Sequence, residues 1–223
     1  MIEYALTRSK RKTVALYIRN GVLDVRAPLK MPIKAIEEFI ESKEKWITER
    51  LSKSQAQTER REKFSLDYGS LIYYRGNQYP ITAKDGTRVG FDGECFYMPP
   101  SLAPEQIKST CIKIYRKLAK QYLTEQVLNF AQKLSVEPKS VSITNARTRW
   151  GSCSAKKTIN LTWRLIMACD EVSSYVACHE CSHMLELNHS RRFWAIVENA
   201  MPDYKQRQAM LKGFQYQLNG EDW

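Results

Sequence analysis

No apolar run in this 223-residue sequence approaches the roughly 20 residues that a membrane-spanning helix requires, which argues against a helical membrane protein. The N-terminal stretch MIEYALTRSKRKTVALYIRN has no continuous apolar segment after its first charges and no small-residue cleavage site, so it does not read as a secretory signal, and a cytoplasmic location is expected. No internal repeat is apparent, which sets aside solenoids and propellers. Histidine is scarce: the chain has three, His179, His183 and His189. Acidic side chains are outnumbered, with 24 Asp and Glu against 35 Lys and Arg, for a formal net charge of +11. The excess gathers in Arg8–Lys12, Lys113–Lys120, Arg147–Lys157 and Arg191–Arg192. Such a balance favours anionic partners, whether nucleic acid, nucleotide or an acidic protein surface, or else a solvated basic face.

A chain of this length can bury one sizeable core, or a core with a smaller lobe, without a metal or disulfides to hold it together. A metal site would therefore serve function more than folding. Six cysteines (Cys95, Cys111, Cys153, Cys169, Cys178 and Cys181) are expected to be reduced and mostly buried as small hydrophobes. The pattern is α+β. Val14–Ile18 and Val22–Val25 alternate as strands around Asn20-Gly21, a two-residue hairpin signal. After Pro32, Ile36, Phe39, Ile40, Ile47 and Leu51 recur at helical spacing, and residues 52–63 are either a polar linker or an exposed extension of that helix. Short β-like runs from Leu71 to Met98, punctuated by Gly76, Asp85-Gly86 and Asp92-Gly93, predict a small antiparallel β meander.

Ser101 with Pro104 marks the start of a long helix with an apolar stripe (Ile107, Cys111, Ile114, Leu118, Leu123, Val127, Phe130, Leu134). Val141–Thr144 and Thr158–Leu165 read as strands around a polar loop, NARTRWGSCSAKK, a candidate substrate wall. Val172–Leu187 reads as a helix carrying HECSH, and Ser190 can cap the helix after it.

Helical geometry puts residues four apart within about 40° of each other, so His179 and His183 can present two imidazoles to one ion. A catalytic zinc typically takes three protein ligands and keeps one position open for water. His189 is the natural third ligand, but on a continuing helix it would point about 240° away, so the helix must end before it. Asn188 in a left-handed conformation followed by a Ser190 cap would provide that reversal. Glu198 on the next helix is the alternative third ligand. Glu180 lies beside the metal face without being on it, which suits a general base. Cys178 and Cys181 form a C-x-x-C that could bind metal or do redox chemistry, yet on the helix both point away from the His179/His183 face. Glu186 is either solvated or a hydrogen-bond partner of a ligand.

RWGSCS (Arg149–Ser154), HECSH (His179–His183), NHSRRFW (Asn188–Trp194) and MPDY (Met201–Tyr204) occur in an order that resembles the YgjP-like metallopeptidase-domain family. The N-terminal hairpin, VRAPL (Val25–Leu29) and the helix after it are similar too, so the resemblance spans essentially the whole chain. It implies a zincin-like fold. The elements along the chain are read as an N-terminal β-rich lobe with one helix over residues 1–100 and a zincin-like metal-binding catalytic domain over 101–223. The resemblance also implies zinc at His179, His183 and His189, with Glu180 as acid/base. The histidine spacing matches the metzincin pattern as well, but Glu186 stands where metzincins have glycine.

Three functions compete at this point. The first is a cytoplasmic zinc metallopeptidase in which an edge strand within Thr158–Leu165 pairs with an extended peptide and Tyr204 or an arginine stabilises the oxyanion. The second is a hydrolase of nucleotides or other phosphate esters, with Arg147 and Arg149 clamping phosphate, helped by Lys156 or Lys157. The third is a metal-stabilised nucleic-acid-binding module using the basic face and Trp150 or Trp163 for stacking.

Overall fold

A computed structural model describes residues 2–19 and 21–223. The chain is a mixed α+β protein in which the described residues form three small sheets and six α-helices. It divides into two compact units, Met1–Phe64 with Gln217–Asp222, and Ser65–Tyr216 with Trp223. The segment Leu71–Met98, grouped with residues 1–100 on sequence grounds, lies in the second of these.

In the first unit β1 (Tyr4–Ser9), β2 (Ala15–Arg19) and β3 (Val22–Pro28) form a sheet in the order β1-β3-β2. β2 pairs antiparallel with β3 from Ala15↔Arg26 to Arg19↔Val22, and β1, which alternation alone does not reveal, pairs parallel with β3. The expected hairpin signal rests partly on Asn20, which lies outside the described residues. β3 turns Leu23, Val25 and Ala27 inward in strict alternation, and they pack against Ile36, Ile40 and Ile47. The single helix expected after Pro32 is two, α1 (Ile33–Glu41) and α2 (Glu44–Glu62). The break falls at Ser42–Lys43, where the Ser42 hydroxyl bonds the Phe39 carbonyl and Lys43 takes ψ near 10°. Residues 52–62 continue α2, so the polar stretch is a helical extension.

The second unit opens with β4 (Leu71–Tyr74), β5 (Asn77–Ala83), β6 (Gly90–Phe91) and β7 (Phe96–Met98). Their order is β4-β5-β7-β6, and β5 runs parallel to β7, so the expected antiparallel meander is not formed. The chain passes from β5 to the outer edge, and a turn in which Asp92 accepts from the Glu94 and Cys95 amides returns β7 into the gap. Rings of Tyr74, Phe91 and Phe96 close over the result, with centroids 4.7 Å (Tyr74–Phe91) and 4.8 Å (Phe91–Phe96) apart.

α3 (Pro104–Lys133) spans 30 residues, about 45 Å, and buries Ile107, Cys111, Ile114, Tyr115, Ala119, Leu123, Val127 and Ala131. The predicted stripe is right in phase, but Leu118 and Phe130 sit at its margin while the smaller Ala119 and Ala131 lie beneath neighbouring elements. Its first turn is closed by the Gln106 side chain, which accepts from the Ala103 amide.

β8 (Ser140–Thr144), β9 (Gly151–Cys153) and β10 (Thr158–Thr162) form the sheet next to the site, in the order β8-β10-β9. β9 falls inside the stretch expected to be all loop, and β10 gives way at Trp163 to a 3-10 segment ending at Met167. The remaining elements are α4 (Asp170–Ser182), α5 (Arg191–Ala200) and α6 (Tyr204–Leu218). Asp170 and Glu171 occupy the first turn of α4, where their charge favours the helix dipole, and Asp170 is held bidentately by Arg75 at 2.8 and 2.5 Å. Among the described residues no helix is long and apolar enough to cross a membrane.

Candidate functional site

α4 brings His179 and His183 to its last turn on one face, with His183 at the C-cap (φ −64°, ψ −16°). The helix stops at Ser182, five residues short of the expected Leu187. The backbone tightens instead, through Leu185 N and Glu186 N to Ser182 O (3.0 and 3.1 Å) and Ser190 N to Asn188 O (2.7 Å). Asn188 does not take the left-handed conformation expected of it; these short-range bonds turn the chain without a positive φ. Ser190 does cap α5, its hydroxyl accepting from the Phe193 amide at 3.3 Å.

This reversal returns His189 to the other two rings. His189 Nε2 lies 3.0 Å from His179 Nε2, and one ligating atom from each of the three histidines lies within 4.8 Å of the others. It is the one such cluster among the described residues. Three donor nitrogens around zinc, each about 2.0–2.1 Å from it, require this degree of convergence. The protonation states suit it too. Burial, reinforced by the neighbouring rings, pushes the His179 imidazole down to about 3 and lowers that of His183, so both are neutral near pH 7. The His183 Nδ1–H donates to the Glu186 carbonyl at 3.1 Å, which leaves Nε2 with its lone pair free. Glu186 thus contributes through its backbone, while its carboxylate lies 4.0 Å from Arg192. His179 Nδ1 is buried without a hydrogen-bond partner.

α5 supplies the packing that orients these rings. Phe193 stacks on His183 at 4.5 Å, and Trp194 stacks on His189 at 5.8 Å and on Tyr204 at 5.5 Å. Sequence reasoning did not assign Phe193 or Trp194 to the site; the signal was their place directly after the last histidine, in NHSRRFW.

Glu180 is 6% exposed, and its Oε2 has no hydrogen-bond partner. Burial raises its carboxyl to about 7, against the opposing pull of the Arg149 charge. Gly151 of β9 lies directly against it: a Cβ at Gly151 would sit 2.6 Å from Glu180 Oε1 and 2.7 Å from Cγ. This close approach was also missed, although a glycine inside a strand is itself a sign of backbone contact.

The structure sorts the remaining candidates. Arg149 is near enough for its charge to act on Glu180, whereas Arg147 donates to the Trp223 carbonyl oxygen at 2.6 Å, an acceptor it shares with Arg164. Glu198 is exposed, 4.0 Å from Lys205, and is not in the histidine cluster. Cys178 and Cys181 are fully buried, unbonded to each other, with thiols pushed up to about 11 and about 12 by burial, as expected of core residues. Trp163 is fully buried and Trp150 packs on Phe214 at 5.3 Å, so neither is a free stacking surface.

A family model described as YgjP-like, metallopeptidase domain, matches residues 12–214. Among solved structures, the metallopeptidase zymogen of Pyrococcus abyssi abylysin is similar with a TM-score of 0.39 and 20% identity, over 45% of this chain and 99% of that one. The metallopeptidase zymogen of Methanocaldococcus jannaschii jannalysin is similar with a TM-score of 0.37 and 22% identity, over 42% of this chain and 94% of that one. No curated protein matches.

Proposed function

The chain belongs to the YgjP-like metallopeptidase-domain family and is a metal-dependent hydrolase, and from that premise we propose that it is a zinc peptidase whose metal is held by His179, His183 and His189 and whose general base is Glu180. The observation that carries this reading is the convergence of three ring nitrogens beside a buried carboxylate whose Oε2 has no hydrogen-bond partner. Neutral imidazoles are the donor set zinc prefers in catalytic sites. When bound, the metal lowers the pKa of a coordinated water toward about 7 and polarises the scissile carbonyl.

Glu180 accepts the proton of the attacking water and returns it to the leaving amine. Gly151 and the packing of α4 fix where that carboxylate sits. Arg149 provides the positive charge for the developing oxyanion. An extended substrate aligns on β9. β10 lies between β8 and β9 and has no free edge, so the substrate-pairing strand is Gly151–Cys153 and not Thr158–Leu165. The phosphate-ester reading loses Arg147, which is engaged with Trp223, and the nucleic-acid reading loses Trp163, which is fully buried.

Mass-spectrometric profiling of a diverse peptide library with zinc-loaded protein tests the proposal. Cleavage should fall by at least about 100-fold in Glu180→Gln; cleavage indifferent to that substitution would overturn it.

A further inference from the structure

Between β9, α4 and α6 lies a cavity of about 170 Å³ that shares His179 and Glu180 with the histidine site. Trp150, Val176, Leu211 and Tyr175 form the rest of its wall with Gly151, and apart from Glu180 none of its lining residues carries a charge near pH 7. Each wall is held from behind. Trp150 packs on Phe214, Val176 lies one turn before Glu180 on α4, and Tyr175 spends its polar end on Gln208, so that it offers a ring to the space. The pocket is therefore preformed, apolar, and open to the place where the proposed chemistry occurs.

We infer that this cavity is the subsite for an apolar side chain of the substrate, of leucine or phenylalanine size, on a residue flanking the scissile bond. The inference rests on the peptidase reading. Size supports it: an apolar cavity of about 150 Å³ accommodates a benzene ring, so about 170 Å³ takes a phenyl or isobutyl group. An indole exceeds it. Chemistry supports it as well. A charged side chain entering the pocket would lose its hydration among Trp150, Val176 and Leu211, and an acidic one would also face Glu180. Leu211 is the wall that can be altered with least disturbance, since it lies half-buried on α6 and away from the histidines in sequence.

The test has a binding arm and a cleavage arm, both on zinc-loaded full chain. N-acetyl amides of phenylalanine, leucine, glycine, lysine and tryptophan are titrated by NMR. The phenylalanine and leucine compounds should bind at least about tenfold tighter than the glycine and lysine compounds, the scale on which apolar pockets discriminate. Leu211→Trp, which fills the cavity, should abolish that preference with zinc content unchanged; Leu211→Ala, in case the larger residue is not accommodated, should admit the tryptophan amide. Equal affinities, a preference for lysine, or a preference that ignores both variants would overturn the assignment. In the peptide library, cuts should lie beside leucine or phenylalanine and move with the Leu211 variants. Cleavage without that preference removes the subsite and keeps the peptidase reading, whereas selective binding with no peptide cleaved keeps only the apolar preference of the cavity and removes the peptidase reading together with the place beside a scissile bond.

Discussion

Gly151→Ala is the substitution whose consequences follow most directly from the geometry. Gly151 lies in β9 without a positive φ, so alanine can adopt its backbone, and in open space the change would stabilise by about 0.4–1 kcal/mol through the unfolded state. The space is not open. The new Cβ would lie 2.6 Å from Glu180 Oε1, 2.7 Å from Cγ and 2.8 Å from Cδ, whereas ordinary contact begins at 3.4 Å. The near end of the side chain is involved as well as its tip, so a rotation of the carboxylate alone does not relieve the overlap. An overpacked buried site costs typically 1–3 kcal/mol, which exceeds the gain, and Gly151→Ala should lower stability measurably in urea unfolding. In a Glu180→Ala background the clashing atoms are gone, and the same substitution should become neutral or stabilising. This reversal of sign in a double-mutant cycle needs no substrate. Displacing the base by a large fraction of an ångström should also reduce kcat about 100-fold on any peptide found by profiling, with zinc content unchanged. Equal destabilisation in both backgrounds, or full activity in Gly151→Ala, would refute the reasoning.

Other expectations follow from the same arrangement. Elemental analysis should find zinc bound by the wild type and by Glu198→Ala, and lost in His189→Ala, because Glu198 lies outside the cluster. Cys178→Ala and Cys181→Ala should keep their zinc while losing stability, since both thiols are core groups. The Arg75 guanidinium holds the Asp170 carboxyl below its ordinary value, so this pair stabilises the fold above the unfolded pKa of about 3.9 and loses that contribution as pH falls through the lower folded value. Both side chains are more than a third exposed, which limits the effect to under about 1 kcal/mol. The Tm difference between wild type and Asp170→Asn should accordingly be present at pH 6 and shrink below pH 4; a difference independent of pH would argue against the pair.

What the sequence determined by itself is what depends on near neighbours along the chain. The i, i+4 spacing of His179 and His183 needs only helical periodicity, and the Ser190 cap needs only the hydroxyl and the amide three residues on. The necessity of a break before His189 follows from the same rotation angle, although the local guess at its mechanism, a left-handed Asn188, was wrong because short-range backbone bonds supply the turn. The family was legible for a related reason: its motifs are contiguous, and RWGSCS, HECSH and NHSRRFW stand in one order.

Tertiary structure decided everything that depends on which distant segments meet. The parallel pairing of β5 with β7, the addition of β1 beside β3, and the placement of β9 as the edge strand at the site are choices of partner, and alternation within a strand does not encode its partner. The same is true of side chains. Arg147 and Arg149 are two residues apart and alike in sequence, yet one is tied to Trp223 while the charge of the other acts on Glu180. Gly151 differs from other glycines only because α4 brings Glu180 against it. Periodicity and capping are set by bonds and rotations within a few residues, whereas contacts between segments are set by packing of the whole core, which no short stretch of sequence contains.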